Sequence, residues 1–172
     1  MEKYNEGLIA ISPAFSGDMA NSLKSRTKDK AEEFAIFYKK VFGERFYVEI
    51  TKHPEIDGHE ANMKILIEFA RSKNIPLLAA HDVFYMNPDD REARDTLLLV
   101  NSHTDSSDRG SEDNEEDFSF IPPERAEELF RNIPEALENN KKVANMCNLE
   151  LSLGKWVFPA YKVESGKWYD DE

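Results

Sequence analysis

The chain has 172 residues, which fits one domain or a piece of a larger one, and carries 34 acidic against 22 basic residues for a net charge of -12. That balance excludes a surface that grips nucleic-acid backbone by itself, and a helix lying on anionic lipid, because both need clustered Lys and Arg. A single Cys147 excludes an intramolecular disulfide and a Cys-based zinc site within one chain, no apolar run reaches membrane-spanning length, and Met1-Glu2-Lys3-Tyr4 opens no signal peptide. A soluble, reduced, cytoplasmic setting is therefore expected.

Gly7 to Ser12 (GLIAIS) is a short apolar run and predicts a buried strand. No element is assigned between Ser12 and Ala31. From Ala31, the positions Phe34, Ala35, Tyr38, Val41 and Phe42 form a helical stripe, with Asp29 and Glu32 spaced as a capping box and Gly43 as the stop. Arg45 to Thr51 is aromatic and β-branched, a second strand. Asp57 and Glu60 repeat the capping pattern before a helix with Met63, Leu66, Ile67 and Ala70 on one face. Ile75 to Val83 is a third strand, with Pro76 near its start. Asn87 caps a helix whose first residue is Pro88 and whose inner face is Ala93, Thr96, Leu97 and Val100.

Between Val100 and Phe118 there is no apolar residue. Residues 105–117 hold seven acidic side chains and one basic, Arg109, so this stretch supplies -6, half of the net charge. Such a segment buries too little to offset its ordering entropy and is read as a mobile surface loop. An acidic partner-docking arm is the sharper alternative; the spacing does not fit a calcium-binding loop. Phe118 to Ile121 predicts a short strand. Pro122-Pro123-Glu124 opens a helix through Ala126, Leu129 and Phe130. Pro134 starts another, with Leu137, Asn140, Val143, Ala144 and Cys147 on one face. Leu149 to Phe158 is extended, with Trp156 and Phe158 expected to pack, and the last residues read as a tail.

Alternation of strand and helix predicts an α/β fold with parallel strands and crossover helices. Three such units make half of an α/β barrel, and an open sheet of three leaves edges exposed, so association or poor solubility is expected. In a barrel the active site lies at the C-terminal strand ends. His53 follows the second strand, and His81 and Asp82 end the third. A His and carboxylate cluster suits Zn2+ or Mn2+, ions that activate water against phosphoesters. The spacing alone leaves open that Asp82 caps a turn and His53 sits on a surface loop. His59 and His103 have no second ligand at a convincing spacing and are read as solvated. Cys147 is read as a core thiol, and no Gly-rich phosphate loop or Gly-x-Ser-x-Gly elbow is present.

One ordered set of segments is more specific than any of these motifs. It runs through Lys3-Tyr4 and Gly7–Ser12, Phe42–Ile50 with His53, Ile75–Tyr85, Asp95–Leu98, Ala126–Phe130, Ile133–Asn139 and Cys147–Leu151. This set resembles the polymerase-and-histidinol-phosphatase (PHP) domain, C-terminal portion, of the bacterial replicative DNA polymerase III alpha subunits. The resemblance covers nearly the whole chain apart from the acidic loop and the tail. It implies residues 1–160 as a partial, distorted (βα) barrel, with 161–172 as a tail. It also implies a metal cluster that in some members cleaves DNA 3′ ends and in others leaves only a scaffold for the polymerase and a separate exonuclease subunit. The family's Glu-x-x-x-His falls on Glu49 and His53, and its Asp-x-His on Asp82 and Phe84.

Several positions depart from that pattern. Phe84 cannot ligate a metal, the family's Ser-Gly-Cys reads Ser12-Pro13-Ala14, and Arg94 stands where a His is usual. The family's His-x-His strand and the polymerase palm lie outside this sequence. The metal candidates are therefore His53 and Asp82, then Glu49 and His81, for Zn or Mn/Mg at an incomplete site. The leading expectation is a module of a DNA polymerase subunit that meets DNA only through its parent protein. The rivals are a non-catalytic scaffold docking a partner subunit and a stand-alone metal-dependent phosphoesterase.

Overall fold

The computed structural model describes residues 2–102, 117–151, 153–156 and 158. The acidic stretch through residue 116, His103 and the 161–172 tail lie outside the described residues. Within them run β1 (Ala10–Ser12), α1 (Asp18–Lys24), α2 (Lys28–Phe42), β2 (Phe46–Thr51), α3 (His59–Ser72), β3 (Leu77–Ala80), α4 (Arg91–Ser102), α5 (Pro123–Leu129) and α6 (Pro134–Met146). Short 3-10 turns at Gly43–Arg45 and Pro88–Asp90 lead into β2 and α4.

The three strands form one parallel sheet in the order β1-β2-β3, with Ala10 opposite Phe46 and Thr51 opposite Ala80. The predicted α/β alternation and parallel strands are observed. The described residues form an open sheet, and a barrel is not seen in them. Phe46, Val48 and Ile50 of β2 and Leu77 and Ala79 of β3 share the core face with Ala31 and Ala35 of α2 and Met63, Leu66 and Ala70 of α3. The helical stripes read from the sequence are thus the buried faces of both crossover helices. Burial of these side chains, at roughly 25 cal/mol per Å² of apolar area, is the main force holding helices to sheet.

Helix α1 was not expected. It follows a tight turn out of β1 in which a Cβ on Gly17 would stand 2.4 Å from the carbonyl oxygen of Pro13 and 2.9 Å from Ser12 Oγ. Only glycine admits that approach, and it lets α1 place Met19 and Ala20 in the core. Neither expected capping box at α2 or α3 forms. Helix α2 starts after Thr27, whose hydroxyl donates to the Ser22 carbonyl at 3.0 Å and so does not cap the helix. Helix α3 starts after Gly58, which enters it with a left-handed φ of 72°. At Asn87 the predicted cap is present, as a reciprocal pair with Asp90.

The far side departs more from expectation. In α4, Leu97 and Val100 are each 69% exposed, so its predicted inner face is uncovered among the described residues. Trp156 and Phe158 are also exposed and stack on each other, with ring centroids 6.2 Å apart. Cys147 terminates α6 and is exposed rather than a core thiol. Phe118–Ile121 contributes a single parallel bridge, Ser119 to Tyr85, in place of a strand.

Helix α6 meets the core through Leu137 and Asn140 of the predicted face and through Ala136 and Asn139 beside them, while Ala144 and Cys147 of that face are exposed. Its buried residues are Ala136 and Asn139. Asn139 Nδ2 donates to the Leu77 carbonyl at 2.9 Å, and Asn140 Nδ2 to the Ala79 carbonyl at 2.8 Å. In the register of β3 these carbonyls point away from β2, since Val48 bonds instead to Pro76. Two side-chain amides therefore occupy the acceptors that a fourth strand would use.

Candidate functional site

Thr51 and Ala80 are register partners, so the chain leaves β2 and β3 at the same end of the sheet. Lys52-His53-Pro54-Glu55 follows one strand and His81-Asp82 the other, which brings the two segments together. His53 is fully buried, which rules out the surface-loop alternative. Its Nε2 lies 3.4 Å from Asp82 Oδ2, and its Nδ1 lies 3.0 Å from Glu55 Oε1. The His81 ring stacks on it with centroids 5.3 Å apart and an interplanar angle of 23°. Phe15, Phe118 and His59 enclose the imidazole from other directions.

His59 is buried, not solvated as expected. As the first residue of α3, it points its Nε2 at the Thr51 carbonyl, 3.1 Å away. A carbonyl only accepts, so Nε2 carries the proton and pins the end of β2 just before His53. Glu49, by contrast, engages the loop after β1: its Oε1 accepts the Ala14 N–H at 3.2 Å. Glu55 was not picked out from the sequence. The signal was the His-Pro-Glu triplet, a carboxylate two residues beyond an imidazole with a proline fixing the backbone between them.

Phe84 and Arg94, the two positions at which the resemblance would place a His, are partners of one another. The Arg94 guanidinium sits 4.5 Å from the centroid of the Phe84 ring, a cation–π pair, while Phe118 packs 4.9 Å away. Neither side chain can bind a metal.

Burial holds the His81 imidazole below its ordinary value of 6.5, helped by the nearby His53, while the carboxylates of Asp117 and Asp82 pull the other way. Neither His81 ring nitrogen makes a hydrogen bond of good geometry, although the Ser119 backbone lies close enough to favour the protonated ring. At Asp117 burial favours the neutral acid, yet the Ser119 N–H at 2.9 Å and its hydroxyl win and hold the carboxyl low. The lowered His81 value fixes the sign of a pH effect. Near pH 6 the native state binds fewer protons at this site than the unfolded chain. His81 therefore removes stability as pH falls through 6.5 toward its depressed value. The urea midpoint is expected to fall between pH 7.5 and pH 5.5, and to fall less in His81→Asn.

His53 Nε2 is buried without a hydrogen-bond donor or acceptor partner, beside a carboxylate. Bonds of about 2.0–2.2 Å to a four-coordinate ion place adjacent donors about 3.4 Å apart. His53 and Asp82 thus fit two corners of such a site. Among the described residues no group of three or more His, Cys, Asp or Glu is arranged to hold a metal, so a full ligand set is not assembled.

The family model of the PHP domain matches residues 1–53, the stretch that runs from the N-terminus through β1 and β2 to His53. The chain is also similar to the DNA polymerase III subunit alpha of Pseudomonas aeruginosa, at 34% identity over 96% of this chain and 14% of that protein. The subunit of Neisseria meningitidis is 32% identical over 97% of this chain and 15% of its own length. That of Borreliella burgdorferi is 32% identical over 95% of this chain and 14% of its own length. The chain therefore carries a PHP-domain match and is homologous, over nearly all its length, to a segment of the DNA polymerase III alpha subunits. It spans about 14% of the length of these curated relatives. Among the described residues no helix is long and apolar enough to cross a membrane.

Proposed function

We propose that the chain, with residues 1–160 as a partial PHP module, serves a cytoplasmic replicative DNA polymerase as a structural element holding a residual metal position. Polymerisation and contact with DNA belong to other parts of the parent protein. The observation that carries this reading is the bare, buried Nε2 of His53 facing Asp82. The metal would rest on these two, with any further ligands supplied from outside the described residues. A bound Zn2+ or Mn2+ would supply Lewis acidity and an activated water. Phe84 and Ala14, which replace ligands, support a site short of exonuclease function. His81 walls the position from one side, and Glu49 supports the β1 loop rather than the ion.

The exposed Leu97, Leu98 and Val100 of α4 favour a second reading, a scaffold that docks another part of the polymerase or its proofreading exonuclease subunit. Both readings are tested on the purified chain. Elemental analysis after Zn2+ loading is expected to find about one ion per chain, lost in His53→Ala and Asp82→Asn. Single-stranded DNA with added Mn2+ is expected to keep its 3′ end. Shortening of that end would sink the structural assignment, and absence of metal from the wild-type chain would remove the metal position.

A further inference from the structure

The imidazole of His53 is flanked on both edges by carboxylates of different origin. Glu55 faces Nδ1 at 3.0 Å and is only 17% exposed, whereas Asp82 faces Nε2 at 3.4 Å and is 38% exposed. A carboxylate is an acceptor only. The Nδ1 contact therefore requires the ring proton on Nδ1, where it is donated to Glu55 Oε1. In a neutral ring Nε2 is then left as a lone pair. That lone pair meets a second acceptor, Asp82 Oδ2, an arrangement that is repulsive until a proton or a metal cation enters the gap.

Pro54 makes the arrangement local and rigid. It separates His53 from Glu55 with a fixed φ, and Ile56 N–H bonds back to the His53 carbonyl at 3.1 Å, closing the turn that carries both side chains. The ring has little room to flip, because it is fully buried among Phe15, Phe118, His59 and His81.

We infer that Glu55 is the positioning residue of the site: it selects the Nδ1–H tautomer of His53 and so aims a bare Nε2 at the cation position beside Asp82. This rests on the metal reading above for its purpose but not for its geometry. Carboxylates that accept the second N–H of a ligating histidine typically strengthen metal binding by about 10- to 100-fold.

Long-range 15N–1H NMR of the full metal-free chain at pH 7.5 reads the tautomer directly. A pyrrole-type Nδ1 and a pyridine-type Nε2 at His53 are expected. Glu55→Gln, whose amide oxygen still accepts, is expected to keep that pattern, and Glu55→Ala to shift the proton toward Nε2. Competition against a chromophoric chelator is expected to show Zn2+ affinity lowered about 10- to 100-fold in Glu55→Ala and by less in Glu55→Gln. A wild-type His53 protonated on Nε2, or on both nitrogens, overturns the inference, as does an unchanged tautomer in Glu55→Ala. If the wild-type chain shows the expected tautomer but takes up no Zn2+, the positioning role stands and the metal reading fails.

Discussion

Phe46→Ala lowers the stability of the chain by about 3–5 kcal/mol, the range for truncating a buried aromatic. Phe46 is 1% exposed at the start of the central strand. Its ring stacks on Tyr38 of α2 with centroids 5.2 Å apart, so it joins the sheet to a crossover helix. Backbone from both neighbouring strands surrounds the site, since β2 pairs with β1 on one side and β3 on the other. A central strand cannot collapse into the void as an edge could, which puts the cost toward the upper end. For a chain of this size the expected fall in melting temperature is on the order of 10 °C. A change under a third of that would show that the core face is not the main support of the sheet. Phe46→Leu is expected to recover most of the loss by refilling the volume.

The double change Asn139→Ala with Asn140→Ala is expected to act on stability and on association together. Each removes a donor from a β3 carbonyl, at 2.9 Å from Leu77 and 2.8 Å from Ala79. A buried acceptor left without a partner costs about 1–3 kcal/mol; Asn140 is only part-buried, so its share is the smaller. The freed edge also becomes a template for another strand. Denaturant unfolding together with light scattering distinguishes the two effects. The variant is expected to lose stability at low concentration and to form larger species as concentration rises. Loss of stability with no added association would mean that α6 still shields the edge sterically.

Strand order and helical stripes were legible because their signal is periodic and repeated. Val48 and Ile50 alternate along β2, and Met63, Leu66, Ile67 and Ala70 recur at helical spacing along α3. The placement of His53 beside Asp82 followed from one rule, that parallel strands release their loops at one end. What escaped was set by single tertiary contacts. Helix α1 depends on the space at Gly17, which no periodicity reports. At α6, Leu137 and Asn140 of the predicted face do meet the core, but Ala136 and Asn139 were missed, since an asparagine is polar by composition and only its bond to the Leu77 carbonyl docks it to the sheet. His59 looked like a solvated first-turn residue, yet its destination was a carbonyl eight residues earlier. Glu55 escaped because only the turn closed by the Ile56 N–H on the His53 carbonyl brings its carboxylate to Nδ1.

The pairing of Phe84 with Arg94 has a bearing on how the site can change with time. A histidine placed at position 84 alone would stand beside the guanidinium, which lies 4.5 Å from the centroid of the present ring. That fixed positive charge would weaken the binding of a cation by a histidine at 84 itself. Changing Arg94 alone strips the aromatic face of its partner. The two positions are therefore coupled: the effect of a substitution at 84 depends on which side chain stands at 94, and the reverse.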